Sequence, residues 1–279
     1  VAAVGVTWWF ARSVGGRVVA LIAGLLMAVS PAAIDESTFI WNPNPIPLFA
    51  ALALGCAWRA HASGVVRWWV PSVLAAGMVL QLHVLGIVFL PPILALAVAD
   101  ARRAAGSGDG ARARAVLRAA GAGILLAALL FAPLLVHELG SGFQETRRAV
   151  AFLAGGGAAG GALDPFEQVT LALFRIVGWP LVGLVTDSPL AALVVVSVAT
   201  GLSAWLMLVG RGPDRTAARW LGLTVIWSGL TLAVLAPSLQ TVVAGLPNDH
   251  YHAFLDPVVI VLAALAARAI VRRSGSHPR

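Results

Sequence analysis

Long runs of apolar residues are the feature that most constrains this chain. Each run is about as long as a helix needs to cross a hydrocarbon core of about 30 Å, and a spanning segment must satisfy its own backbone hydrogen bonds. The runs cover residues 17–33, 46–60, 67–82, 84–99, 115–137, 189–210, 219–237 and 252–271. The sequence therefore predicts an all-α, polytopic transmembrane helix bundle of about eight spans, preceded by a partial N-terminal helix in residues 1–11.

Composition supports the same class. Hydrophobic residues make up 59% of the 279 residues and charged residues 11%, with a mean hydropathy of +0.90, whereas about a quarter of a soluble domain is charged. We interpret residues 1–279 as a single transmembrane domain, and its start at Val1, inside a short apolar stretch, predicts a fragment. Residues 138–188 are predicted to form an outer loop region with an interfacial helix at 171–186, and residues 272–279 a cytoplasmic tail.

Arginine supplies all the basic residues, and its distribution predicts the orientation. The net charge of +7 would by itself also suit a nucleic-acid partner. Most arginines, however, lie in the tail and in the short connections 12–17, 59–67, 100–118 and 211–219, which share one side if the spans alternate. This is the positive-inside pattern of a protein in the cell membrane, so this side is predicted to be cytoplasmic, and no nucleic-acid partner is expected.

Strict alternation of the spans also requires a helical hairpin over residues 67–99. Its turn is predicted at Gln81-Leu82-His83, which interrupts an otherwise apolar stretch. The hairpin would place Gln81 and His83 at the outer surface, near the loop 35–44. A histidine at a membrane edge is often only a hydrogen-bonding residue, but ionisable groups at membrane depth are costly and indicate function.

The predicted outer side holds most of the acidic residues, and two polar stretches there are candidates for a site. In the first, Asp35 and Glu36 precede Trp41-Asn42-Pro43-Asn44 at the entry to a span. This stretch is equally typical of an interfacial loop with Trp41 in the aromatic belt. Two acids and two asparagines at one helix junction favour a functional site.

The second stretch, Asn248–Pro257, opens the last span. Its His250-Tyr251-His252 sequence could ligate a metal, but no third ligand follows at a recognised spacing. We therefore predict no metal site and leave a divalent metal open as the one conceivable cofactor. Binding of a sugar or a phosphate by these polar side chains is favoured instead.

Arg147 and Arg148 are exceptional because they lie on the side that is otherwise poor in positive charge. They would bind an anion or simply pair with Glu138 and Glu145. The predicted substrate-binding residues are Asn42, Asn44, Gln81, His83, Arg147, Arg148, His250 and Tyr251.

These stretches resemble the bacterial family-39-type membrane glycosyltransferases, which are relatives of the dolichyl-phosphate-mannose–protein mannosyltransferases and have the C-type fold. The resemblance is carried by Ser30-Pro31, Ser37 with Phe39-Ile40-Trp41-Asn42-Pro43, Pro47-Leu48-Phe49, Gln81-x-His83, and Tyr251 with Pro257. One departure is Thr38, where relatives often carry an arginine. A charged contact at this position is therefore not expected.

The resemblance implies an inverting hexosyltransferase of the cell envelope. It would move a sugar from a polyprenyl-phosphate donor to a lipid, glycan or protein acceptor on the outer face of the membrane. In the family the catalytic carboxylate usually lies in the first outer loop, which here would be upstream of Val1, so the fragment alone is expected to be inactive. Asp35 and Glu36 are kept as candidate catalytic residues.

Two other functions compete with this interpretation. A transporter or flippase for a lipid-linked sugar would place polar residues near the middle of its spans, whereas here they gather at the outer helix ends. A non-catalytic membrane scaffold would tolerate changes at Asn42, His83 and Tyr251.

Overall fold

The structure, a computed structural model, describes residues 1–38, 40–154, 163–236, 239 and 249–274, and every regular element in these ranges is helical. The α-helices are α1 (Ala2–Ala28), α2 (Pro31–Asp35), α3 (Ile46–Ser63), α4 (Trp69–Leu82), α5 (Leu90–Gly106), α6 (Gly110–Leu130), α7 (Ala132–Ser141), α8 (Gln144–Ala154), α9 (Pro165–Val182), α10 (Pro189–Val209), α11 (Gly212–Leu235) and α12 (Asp256–Ser274). Short 3-10 helices cover Val66–Trp68, Val84–Phe89 and Asp249–Leu255. The predicted all-α bundle is confirmed.

Gly16 folds α1 back on itself. Its φ of 77° and ψ of −166° are non-helical, a conformation that glycine adopts without steric cost because it has no Cβ atom. The side chain of Trp8 consequently packs against Gly24, where a Cβ atom would lie 3.3 Å from the indole. In a straight helix these two residues would be about 24 Å apart. α1 is therefore a hairpin, whose arms correspond to the predicted partial helix and the first predicted span.

A second hairpin lies where the sequence predicts it. α4 ends at Leu82, and His83 is extended, with φ −155° and ψ 130°. The Gly86 amide then donates to the His83 carbonyl over 2.8 Å. A Cβ atom at Gly86 would lie 2.8 Å from the backbone of Val79, so the chain returns along α4 at a separation that only glycine permits. The hairpin is confirmed, while its depth in the membrane stays a prediction.

The arginine-rich connections lie together at one end of the bundle. Trp58 of α3 donates its indole N–H to the Ser13 carbonyl over 3.1 Å, beside the α1 turn. Arg268 of α12 donates to the Gly15 carbonyl and pairs with Asp214 of α11. We call this the arginine end. The opposite end, which carries Asp35, Glu36, Asp249 and Asp256, is called the acidic end.

By length and composition, six helical segments of the described residues are able to cross a membrane. They are Ala2–Ala28, Val84–Gly106, Gly110–Leu130, Pro189–Val209, Gly212–Leu235 and Asp249–Arg273. Val66–Leu82 is a shorter apolar helix, and α3 has a length of 18 residues. The first of the six segments is counted through the α1 turn at Gly16, so each of its arms is shorter than a span. The polytopic helical bundle is confirmed, while the count of eight spans stays a prediction.

Two boundaries differ from the sequence prediction. The predicted span 115–137 is broken at Phe131, where α6 ends and α7 begins, with a proline in the first turn of α7. Residues 171–186, predicted as an interfacial helix, fall mostly in α9, which packs against α10, α11 and α12. Arg175 of α9 is 0% exposed, so α9 is part of the bundle, although its depth in the membrane stays a prediction.

Candidate functional site

Ser30 docks the short helix α2 onto α9 at the acidic end. Its hydroxyl oxygen accepts the Ala33 amide over 3.4 Å and so caps the start of α2. The same hydroxyl donates to the Pro180 carbonyl over 2.8 Å. That carbonyl is available because it lies in the last turn of α9, where backbone oxygens have no partner within the helix. The contact fixes α2, which ends at Asp35.

Asn44 orders the loop between α2 and α3. Its side-chain amide donates to the Glu36 carbonyl over 2.6 Å, and its backbone amide donates to the Trp41 carbonyl over 3.2 Å. One residue therefore fixes the positions of Glu36 and Trp41 relative to each other. Asn42, in the same turn, is exposed.

The two adjacent carboxyl groups have different environments. Asp35 is exposed, whereas Glu36 is half-buried, and its Oε2 atom is buried without a hydrogen-bond partner among the described residues. Burial, followed by the negative charges of Asp35 and Asp249, raises the pKa of Glu36 to about 7. Asp256 lies within electrostatic range as well. A carboxyl group with a pKa near neutrality is suited to accept a proton during catalysis.

Four aromatic side chains from three separate segments meet beside this loop. His250 lies at their centre: its ring centroid is 4.4 Å from that of Trp41, 4.4 Å from that of Tyr251 and 5.5 Å from that of His83. His83 and Tyr251 are 4.9 Å apart. We call these four residues the aromatic cluster. It joins the α2–α3 loop, the α4 hairpin turn and the 3-10 helix before α12, as predicted for His83, His250 and Tyr251.

His83 is held as a neutral hydrogen-bond donor. Its Nδ1 atom accepts the Leu85 amide over 3.2 Å, so the proton of the neutral imidazole is on Nε2. Burial lowers its pKa, which keeps the ring uncharged at neutral pH. Gln81, two residues earlier in α4, is exposed.

A buried ionic network under the aromatic cluster was missed from the sequence. Arg175 donates to both carboxylate oxygens of Asp249, over 2.9 and 2.7 Å, and to the Leu239 carbonyl over 2.6 Å. His252 contacts the same carboxylate over 3.1 Å. A buried charge requires such partners, so the network attaches the 3-10 helix to α9. The available signal was an arginine inside an apolar segment.

Arg147 and Arg148 are not brought to the aromatic cluster. Arg147 donates to the Gly142 carbonyl, and Arg148 pairs with Glu145 over 2.7 Å, with both partners exposed. Glu138 accepts the Glu145 amide at the start of α8. Of the two alternatives, the structure supports pairing for Arg148 with Glu145, whereas Arg147 donates to a backbone carbonyl and Glu138 accepts backbone amides.

A cavity among the described residues lies elsewhere. It has a volume of about 440 Å³, lies between α9, α10, α11 and α12, and includes none of the predicted site residues. The described residues also contain no group of three histidine, cysteine or acidic side chains that could hold a metal ion.

Comparison with known proteins agrees with the sequence resemblance. Residues 1–137 match the family model described as dolichyl-phosphate-mannose-protein mannosyltransferase. This range includes the loop with Glu36 and Trp41 and the hairpin turn with His83, but not His250 or Tyr251. No curated protein and no solved structure matches the chain.

Proposed function

Because its residues 1–137 match the family model described as dolichyl-phosphate-mannose-protein mannosyltransferase, we propose that this protein transfers a hexose from a polyprenyl-phosphate donor to an acceptor hydroxyl on the outer face of the cell membrane. The observation that supports the proposal most is the grouping of polar side chains at the acidic end. There a half-buried carboxyl group and a cluster of hydrogen-bonding aromatic side chains lie in one region, built from segments at both ends of the chain.

In the proposed reaction, the acceptor oxygen attacks the anomeric carbon from the face opposite the phosphate. The new glycosidic bond forms as the bond between the anomeric carbon and the phosphate oxygen breaks, so the configuration inverts. Polyprenyl phosphate leaves with the bonding electron pair. The acceptor proton passes to the carboxylate of Glu36, which acts as the general base. This assignment departs from the expectation that the base lies upstream of Val1 and that residues 1–279 alone are inactive, because burial and nearby negative charges raise the pKa of Glu36 to about 7. Asp35 is the second candidate, but it is exposed.

The leaving phosphate gains negative charge, and hydrogen-bond donors placed beside it lower the barrier. His83 and Tyr251 are the proposed donors, since their rings lie 4.9 Å apart. The proposed substrate-binding set is Asn42, Asn44, Gln81, His83, His250 and Tyr251. Arg147 and Arg148 are omitted because their contacts lie within α7 and α8.

The structure gives less support to transport of a lipid-linked sugar. A transport path needs polar groups along its length, and several hydroxyls inside the described helices are engaged locally, although those of Thr7 and Ser228 are buried without a partner among the described residues. Ser72 donates to the Ala53 carbonyl over 2.9 Å, and Thr224 donates to the Trp220 carbonyl over 2.9 Å.

A liposome assay distinguishes the two functions. The purified protein is reconstituted with radiolabelled polyprenyl-phosphate mannose, and a cell-envelope extract supplies acceptors. We expect the label to appear in the acceptor fraction, together with an equal amount of free polyprenyl phosphate. Movement of the intact labelled lipid between leaflets without transfer would contradict the proposal and favour the flippase.

A further inference from the structure

Trp41 combines exposure with a fixed position at the proposed site. Its side chain is 44% exposed, although its ring lies 4.4 Å from the buried ring of His250. The indole is therefore attached to the aromatic cluster on one side and accessible on another. The sequence gives this side chain no role of its own, since its stretch is typical both of an interfacial loop and of a functional site.

The loop geometry couples Trp41 to the proposed base. The backbone amide of Asn44 donates to the Trp41 carbonyl over 3.2 Å, while its side chain donates to the Glu36 carbonyl over 2.6 Å. A group that rests on the indole is thus held at a defined position relative to the Glu36 carboxyl group. Such positioning is required when a base must act on a hydroxyl that attacks one carbon atom of a sugar.

The chemistry of the indole selects the kind of group that would bind. The face of an aromatic ring is electron-rich, and a pyranose ring presents C–H groups of slightly positive character on its flat faces. A phosphate, by contrast, is repelled by the same π face. We propose that Trp41 is the platform on which the pyranose ring of the donor stacks. This inference rests on the proposed function and adds the residue that recognises the sugar itself.

The competing role for an exposed tryptophan is anchoring in the lipid headgroups. The chain offers a matched control in Trp227 of α11, which is 43% exposed and donates its indole N–H to the Val88 carbonyl over 3.0 Å. Trp227 lies outside the acidic loop and the aromatic cluster. A general effect of removing an exposed indole should therefore appear equally in Trp41→Ala and Trp227→Ala.

Equilibrium binding tests the inference without an acceptor. The protein in nanodiscs is titrated with polyprenyl-phosphate mannose and, separately, with polyprenyl phosphate that lacks the sugar. We expect the wild type to bind the sugar-bearing lipid about two- to twelvefold more tightly, which corresponds to the free energy of one aromatic contact. Trp41→Ala should abolish this preference without changing the affinity for polyprenyl phosphate. Trp41→Phe should keep part of the preference, and Trp227→Ala all of it.

The outcomes separate the two proposals. Equal weakening of both lipids in Trp41→Ala, or an unchanged preference, would overturn the stacking role and leave the transferase proposal intact. Failure of the wild type to bind either lipid would instead overturn the proposed donor, and the stacking role with it.

Discussion

Asp35 and Glu36 are neighbours in the sequence, but only Glu36 has the environment of a catalytic acid or base. The sequence predicts the pair as candidates and cannot choose between them. The choice depends on Asp249, which approaches Glu36 from the far end of the chain, and on burial, which no local pattern reveals. The same limit applies to the aromatic cluster, where the sequence predicts three members as site residues and gives Trp41 no role of its own.

Glu36→Gln is expected to stabilise the protein at about pH 8 but not at about pH 4.5. Burial and nearby negative charges raise the pKa of Glu36 to about 7 from a usual value of 4.5. The folded state therefore holds the proton more tightly than the unfolded chain. Folding stability is present at low pH and is lost as the pH rises from about 4.5 through about 7. Glutamine keeps the shape without the charge.

Thermal unfolding in detergent at the two pH values measures this effect. Asp187→Asn is the control, because Asp187 is exposed and is not among the charges that raise the pKa of Glu36, and it should change the unfolding temperature little at either pH. A shift in Glu36→Gln that is the same at both pH values would contradict the assigned environment.

At the level of elements, hydropathy predicted the turns that contain glycine or polar residues. It did not predict the turn that lies within an apolar run. The α1 turn lies at Gly16 among arginines, and the α4 turn lies at His83. The break at Phe131 lies inside a continuous apolar run, so hydropathy carries no sign of it, and Pro133 in the first turn of α7 is the signal that the sequence offers.

α9 illustrates a different limit of prediction from sequence, which concerns the burial of a helix. An arginine, a glycine and a proline within its apolar segment suggested a helix at the membrane surface. The partner that lets Arg175 be buried is Asp249, 74 residues away. Long-range pairing of this kind is fixed only by the tertiary structure, so the burial of α9 could not be read from its own sequence.

Arg175→Met should destabilise the protein by about 3–5 kcal/mol, because it leaves the Asp249 carboxylate buried without its counter-ion. The side chains of the pair are 1% and 4% exposed. Adding Asp249→Asn should restore part of the loss, since the uncompensated charge is then removed. Thermal or denaturant unfolding in detergent measures the change.

Arg148→Met is the matched control for this ion pair. The Arg148–Glu145 pair has a similar separation of 2.7 Å, but its side chains are 64% and 47% exposed. Such a surface pair contributes about 0–1 kcal/mol. If Arg175→Met is no more destabilising than Arg148→Met, the network does not hold α9 and the 3-10 helix together as described.

On the scale of the whole molecule, arginine-rich turns and acidic side chains lie at opposite ends of the bundle. The arginine-rich turns gather at one end, held by contacts such as that between Arg268 and Gly15, and the acidic and aromatic side chains gather at the other. The polytopic helical class and the gathering of the arginine-rich turns at one end could be predicted because lipid imposes helix length and arginine marks one side. Packing brings the α2–α3 loop, the hairpin turn and the 3-10 helix together. The sequence supported this convergence through the alternation of the spans, which places these segments on one side, and through the family resemblance.

The most direct test of this account compares sugar transfer by Glu36→Gln and Asp35→Asn with that of the wild type. All three proteins are reconstituted in liposomes with polyprenyl-phosphate mannose and the same acceptor extract, and the initial rate at saturating donor is measured. Loss of a general base lowers the rate by about 10²–10⁴-fold. The initial rate of Glu36→Gln should be reduced by a factor in this range, while the rate of Asp35→Asn should stay within about threefold of the wild-type rate. Wild-type rates in Glu36→Gln, or an equal loss in both variants, would contradict the assignment of Glu36 as the base at the acidic end.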